Sequence, residues 1–375
     1  MKAVNEIFSA QEKLVFALRS LYEDFGYTRF PMRRFEEYAL YLENKSFLKS
    51  ESVLAFANAN GKLMALKPDV TLSIVKHASA KAKGVEKLYY NENVYRLSQT
   101  DHEFSEIEQM GVEMLGEVDM YGMCEVLQLA VESMRAVSSE YVLEISHMGF
   151  AAGLMDAARL TDAEKTELFH LIRQKNSHEL RAALAKMPIS PTYAEHIAGL
   201  ANLSGECEET LARAKTMVEN EEMRVAVAEL SRIYEVLSPL GLCDRLRVDF
   251  SLLNDLDYYN GLVFQGYVRD VPRVALSGGR YDPLTHKFGK KGGGIGFALY
   301  LGELRQLLAR PADYDADVLV LYGKSEDAAA IFSAVKELRK GGVKVLVAPE
   351  TANGSIHARK TMRFAQGSLQ EVEVC

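Results

Sequence analysis

Several short segments set a carboxylate or amide, a hydroxyl or ring, and a glycine at alternate positions, as a strand lining a small polar pocket would. In EIEQMGVEMLG, a period of two sends Gln109, Gly111 and Glu113 to one face and Met110, Val112 and Met114 to the other. Gln109 could bond an amino or carboxylate group, Glu113 could accept from a nitrogen, and Gly111 could let a ligand lie against the backbone. A solvated face with an incidental glycine is the bland alternative. NDLDYYNGLVFQGY repeats the pattern: as a strand, it puts Asp257, Tyr259 and Gly261 on one face and Tyr258 and Leu262 on the other. Tyrosine offers a flat wall and a hydroxyl, although a core tyrosine would satisfy the same pattern. LSGGRYDPL adds Tyr281 as a further wall, with Gly278-Gly279 suited to a tight turn and Arg280 able to pair with Asp282. In LKPDVTLSIVKHA, Asp69 and Thr71 stand where a helix begins, as ligand contacts or simply as caps. These groups recognise; they do not activate. From Asp249 to Val268 there is no arginine, lysine or histidine.

Other chemistries lack their parts. GKKGGGIGF has glycines and lysines but not the order G-x-x-x-x-G-K-[ST] of a phosphate loop, so its glycines are read as allowing close strand packing and a turn. Cys124, Cys207, Cys243 and Cys375 are scattered with no C-x-x-C pair, and the eight histidines show no H-x-x-x-H spacing. That spacing implies buried thiols and no metal site, and no cofactor is expected. No local Ser-His-Asp or Cys-His set can be assembled. Acidic residues outnumber basic ones, 52 to 44, giving a formal charge of −8. Nothing there demands a nucleic-acid face, although a local basic patch could survive in an acidic chain. The N-terminus is interrupted by Glu6, Glu12 and Lys13, unlike a signal peptide, and no apolar run is long enough for a membrane span, so a cytoplasmic location is expected.

The elements that must position these groups can be traced along the 375 residues. Leu14, Leu18, Leu21 and Phe25 mark one face of a helix that Gly26 would cap. The segment 63–78 reads as a strand, a turn at Pro68-Asp69 and a helix. KLYYNENVYRL and FSEIEQMGVEMLG read as two strands joined by SQTDHE. A helix follows with Val126, Leu127, Ala130, Val131 and Met134 on one side, then the strand YVLEISH. Residues from about 150 to 235 are helical in pattern, an insertion between two halves of a sheet. Strands return over 245–281, and GGGIGFALYLGELRQLLARP gives a strand entering a helix. Residues 311–375 begin a separate small unit, DADVLVLYG, SEDAAAIFSAVKELRKGG and VKVLVAPE forming β-α-β, with a weakly patterned tail from Thr351 left without assigned structure.

LKPDVT, VYR with EIEQMGVEMLG, LDYYNGLVF, SGGRYD and GIGFALYLGEL follow one another in the order found in the histidyl branch of the class II aminoacyl-tRNA synthetases, which residues 10–310 resemble. LDYYNG followed by GGRYD is the specific part. The resemblance implies an α+β fold: a class II synthetase-like antiparallel sheet flanked by helices over 1–310, with the helical insertion at about 150–235. The unit 311–375 is similar to the start of a synthetase anticodon-binding domain and too short to complete one. The histidine-binding positions of the family map onto Asp69 and Thr71 for the α-amino group, assisted by Gln109. Glu113 and Tyr259 would meet the imidazole, and Tyr258 and Tyr281 would wall the pocket.

Departures from the family fall on the activating residues. The arginine expected before LDYY is Asn254, followed by Asp255 in place of a glycine, and the arginine expected in motif 3 is Glu303. Arg96 survives in motif 2, but Ser98 replaces a glutamate, and LSQTDHEFSE carries no arginine or lysine. In motif 1, Pro31 fits and Arg34 stands where an acid is expected. A carboxylate facing ATP phosphates repels them. A body with the histidine pocket kept and the ATP site dismantled resembles the regulatory subunits of ATP phosphoribosyltransferase. That resemblance implies no catalysis, binding of L-histidine, and a short-form catalytic subunit as partner. It also implies self-association as a dimer within a hetero-oligomer; the acidic chain and the short C-terminal unit argue against specific binding of tRNA. A working histidyl-tRNA synthetase and a stand-alone histidine sensor are the alternatives.

Overall fold

The computed structural model describes residues 8–48, 53–78, 84–97, 102–253, 258–308, 314–340, 342–352 and 356–372. The chain divides into two units, Leu14–Arg305 and a second made of Met1–Lys13 with Gln306–Cys375. No helix among the described residues is long and apolar enough to cross a membrane.

In chain order the strands of the larger unit are β1 (Thr28–Arg29), β2 (Phe35–Glu37), β3 (Ala55–Ala57), β4 (Leu63–Leu66), β5 (Val85–Leu97) and β6 (Phe104–Gly116). Then come β7 (Tyr141–His147), β8 (Ser204–Gly205), β9 (Leu246–Asp249), β10 (Leu262–Val268), β11 (Leu276–Arg280) and β12 (Gly293–Tyr300). Nine of them form one sheet in the order β1-β5-β6-β12-β11-β10-β7-β9-β8, antiparallel from β5 through β7. β2, β4 and β3 form a small separate sheet.

One face of the large sheet is apolar. Met110, Val112 and Met114 are buried on it, and Met114 reaches Gly122 of the helix Met120–Val137. That helix buries Val126, Leu127, Ala130, Val131 and Met134, the stripe its spacing predicts, each worth roughly 1–3 kcal/mol of burial. The helix Ala10–Asp24 buries Leu14, Leu18 and Tyr22, and Tyr22 bonds Ser133 of the neighbouring helix at 3.0 Å. The expected stripe is corrected here: Tyr22, not Leu21, is the third buried position, because its hydroxyl finds a partner inside. Gly26 takes φ 81°, the left-handed value that a helix-ending glycine supplies.

The helical insertion runs from Met148–Ala157 through Asp162–Arg173, Ser177–Leu184, Pro191–Leu200 and Cys207–Lys215 to Glu221–Leu237. Thr161 and Glu164 close a capping box at the second of these. The long run from 209 to 237 is two helices, Asn220 capping the second through Met223.

The smaller unit holds β13 (Ala316–Tyr322), β14 (Val345–Pro349), β15 (Ala358–Ala365) and β16 (Ser368–Glu371), with the helix Ala328–Lys340 between the first two. The expected β-α-β is present, but the tail that the sequence pattern left unassigned supplies β15 and β16, in the order β14-β13-β15-β16. Its alternation is weak because only Phe364 is fully buried, against Val318, Val320, Ile331, Val335 and Val345.

Candidate functional site

On its other face the sheet is lined by the polar alternates of β6. Gln109 and Glu113 are 3% and 2% exposed, which removes the reading of a solvated face. Gly111 lies between them, but the space beside it holds the Phe297 carbonyl and the Tyr90 hydroxyl, so it serves strand packing and not ligand approach. The pairing registers decide what stands beside Glu113. It is opposite Gly296 of β12, which is opposite Gly279 of β11. A side chain at 296 would lie 2.0 Å from Glu113 Oε2, one at 279 would lie 2.7 Å from the Tyr259 ring, and one at Gly294 would lie 2.3 Å from the Tyr281 ring. Gly279, Gly294 and Gly296 thus form a flat floor on which the carboxylate and the tyrosines rest. Gly278-Gly279 is therefore not the expected tight turn but part of β11.

Above this floor the structure gathers Asp69, Thr71, Gln109, Glu113, Tyr258, Tyr259 and Tyr281 around one pocket, together with Tyr90, Arg96, Ser277 and Tyr300. Tyr258 and Tyr259 do not alternate across a strand as predicted. They precede β10, outside regular structure, and both rings turn inward with centroids 4.5 Å apart. Asp257, Asn254, Asp255, Ser98 and Cys375 lie outside the described residues. Among the described residues no disulfide is present at Cys124, Cys207 or Cys243, and no group of histidine, cysteine or carboxylate side chains could hold a metal.

Acceptors dominate the pocket. Thr71 Oγ1 donates to Glu113 Oε1 at 2.6 Å, and the Tyr281 hydroxyl donates to Glu113 Oε2. Burial pushes the Glu113 carboxyl up to about 8; these two donors pull it down and Asp69 pushes it further up. Asp69 takes the capping role. Its Oδ1 accepts the Leu72 amide at 2.9 Å and so caps the helix Thr71–His77, while Oδ2 faces the Arg96 guanidinium at 3.7 Å. Arg96 also donates to the Pro68 carbonyl at 2.8 Å, so the pocket's arginine is already committed to protein. Gln109 Oε1 is buried without a hydrogen-bond partner, a deficit worth about 1–3 kcal/mol that a donor on a ligand would relieve. Both oxygens of Glu113 already accept, from Thr71 and from Tyr281, so a ligand donor that reaches this carboxyl competes with them. Glu303 lies outside this lining and pairs with Arg273 at 3.3 Å.

Tyr90, Ser277 and Tyr300 were missed from the sequence. Tyr90 stands opposite Gly111, Ser277 opposite Ala298, and Tyr300 opposite Gln109, so only the strand registers bring them in.

This sheet, its capping helices and its carboxylate-and-tyrosine pocket define a class II synthetase-like body. A family model described as Histidyl-tRNA synthetase matches residues 4–304. An ATP phosphoribosyltransferase regulatory subunit of Caldanaerobacter subterraneus subsp. tengcongensis is 30% identical over 334 residues, 86% of each chain. The crystal structure of an ATP phosphoribosyltransferase regulatory subunit/histidyl-tRNA synthetase from Bacillus halodurans superposes with a TM-score of 0.74 at 25% identity, covering 92% of this chain and 90% of that one. A chain of the ATP phosphoribosyl transferase (HisG:HisZ) complex from Thermotoga maritima shares the fold, with a TM-score of 0.62 at 21% identity, covering 77% of this chain and 96% of that one. The chain belongs to the histidyl-tRNA synthetase family, in the branch of the ATP phosphoribosyltransferase regulatory subunits.

Proposed function

We propose that this protein binds L-histidine in the pocket above β6, β11 and β12 and conveys activation and feedback inhibition to a short-form ATP phosphoribosyltransferase, performing no catalysis itself. The observation that carries this reading is the balance of donors and acceptors. The pocket presents Asp69, Glu113 and the unpartnered oxygen of Gln109, while Arg96 is already bonded to Pro68 and near Asp69. Such a lining suits a ligand rich in donors, an α-ammonium and an imidazole N–H, and its Asp69 carboxylate weighs against a polyphosphate. The α-ammonium would meet Asp69, Thr71 and Gln109; the imidazole would meet Glu113 and Tyr259, between the walls of Tyr258 and Tyr281. Glu303, spent on Arg273, leaves the motif 3 position without a cation for ATP. The partner is supported by the regulatory-subunit relatives and by the complex whose chain shares the fold.

Regulation follows from linkage. Histidine that binds one state of the assembly better by about 1–3 kcal/mol shifts activity about 5–150-fold. Ligand donors at Glu113 would compete with Thr71 and Tyr281, and a pocket rearranged in that way would supply the difference between states. The test is reconstitution: adding the chain to a short-form catalytic subunit raises its activity and makes it histidine-sensitive. A catalytic subunit indifferent to the chain, or inhibited equally by histidine with and without it, overturns the proposal.

A further inference from the structure

A second cavity of about 360 Å³, well within the range of small-molecule sites, opens on the same face of the sheet. Its floor is Gln265 of β10, which pairs with Ser277 of β11, a residue of the first pocket, so the two cavities are neighbours across one strand pair. The next residue in that row is Glu144 of β7. Across from the floor, the end of the insertion helix Asp162–Arg173 brings Arg173 and Lys175 to the cavity, Lys175 in the left-handed conformation at φ 52°. The sequence pattern alone assigns no role to any of these residues.

The polar groups of this cavity fall into used and unused sets. Asp249, buried, accepts from Lys175 at 2.8 Å, from the Ser251 amide at 2.8 Å and from the Ser251 hydroxyl at 2.6 Å, and is satisfied. Tyr267 donates to Gln265 Oε1 at 2.9 Å. The side chains of Glu144, half-buried, and Arg173, exposed, make no hydrogen bond or ion pair with any described residue. Burial and Asp249 raise the Glu144 carboxyl, and Lys175 only partly opposes them. Burial, Glu144 and Asp249 likewise push the Tyr267 hydroxyl up to about 12. Two carboxylates, Glu144 and Asp249, thus share one lysine, which is bonded to Asp249, while exposed Arg173 offers a guanidinium with no partner among the described residues.

We infer that this cavity is a second ligand site, which takes a basic amino acid with its side-chain cation on Glu144 and its carboxylate on Arg173. A cation at Glu144 would also lie against the Tyr267 ring, and Leu252 and Leu253 supply apolar wall for the methylene stem. Arg173 suits a carboxylate through its planar fork. This site is independent of the histidine reading, since neither Glu144 nor Arg173 touches the first pocket.

The experiment is calorimetry of the full chain with L-arginine and with L-lysine, on the wild type and on Glu144→Gln, Arg173→Gln and Tyr259→Phe. Saturable binding is expected for at least one probe, weakened about tenfold or more by each of the first two substitutions and unaffected by Tyr259→Phe. No saturable heat from either probe at millimolar concentration overturns the inference. So does binding indifferent to both Glu144→Gln and Arg173→Gln, or binding abolished by Tyr259→Phe, which would seat the ligand in the first pocket. Should Glu144→Gln fail to fold, the exposed Arg173→Gln decides alone.

Discussion

Replacing Glu113 by glutamine should make the empty protein more stable while loosening its hold on histidine. Burial holds this carboxyl at about 8 when folded, against 4.5 ordinarily. A folded value above the unfolded one means that the carboxyl's contribution to stability is fully present below about pH 4.5 and is lost as the pH rises through about 8. At about pH 7 the unfolded carboxyl is ionised and the folded one is still mostly protonated. Because about pH 7 lies about 2.5 above the unfolded value of 4.5 and still below the folded value, keeping the group protonated costs about 3 kcal/mol relative to a neutral group of the same shape. Glutamine removes that cost, but its single oxygen can accept from only one of Thr71 and Tyr281, which puts about 1 kcal/mol at risk. The net gain is about 2 kcal/mol at about pH 7, larger near pH 8 and nearly absent near pH 5. Chemical denaturation of both proteins at those three pH values measures it. A variant that is less stable by the same amount at every pH would show that Glu113 is ionised in the empty pocket and would refute the reasoning. In the same samples, histidine should stabilise the wild type strongly and the variant weakly.

Gly296→Ala should abolish histidine binding and cost about 3 kcal/mol in thermal unfolding, because the added carbon would lie 2.0 Å from Glu113 and 2.3 Å from the Val112 carbonyl. Tyr259→Phe should raise the histidine concentration needed for inhibition of the reconstituted enzyme while leaving activation intact, since only a hydroxyl facing the imidazole is lost; unchanged inhibition would remove Tyr259 from the site. Histidine-dependent ATP–pyrophosphate exchange should stay at background in the purified chain, and a rate that scales with protein and disappears in Asp69→Ala would restore a catalytic reading. Lys67→Met should destabilise by about 3 kcal/mol in urea titration, because Lys67 is 1% exposed and its 2.5 Å pair with Glu92 would leave a carboxylate without its cation; adding Glu92→Leu should recover much of the loss.

The sequence by itself determined the sheet strands β5 and β6, the alternation that sends Gln109 and Glu113 to one side, the helix starting at Thr71, the helical insertion and the family. Each of these is written locally: a period of two or of 3.6, a cap, or an ordered set of motifs. It also showed, through Glu303 and the uncharged 254 position, which cations the family's pattern lacks here. What it could not decide was everything set by registers between distant strands. The alternation read onto Tyr258, Tyr259 and Gly261 failed because the chain from 258 to 261 is not yet a strand, so Tyr258 and Tyr259 enter the same pocket rather than opposite faces. Gly278 and Gly279 looked like a turn in one dimension and proved to be strand, because β11 is paired on both sides; Gly279 lies under the Tyr259 ring and Gly278 under Phe264 and Phe297 on the other face. The cavity between Glu144 and Arg173 has no local signature at all. Its residues come from β7, β10, the end of β9 and the tip of an insertion helix. Their convergence depends on how the insertion packs back on the sheet, a property of the folded surface that no window along the chain contains.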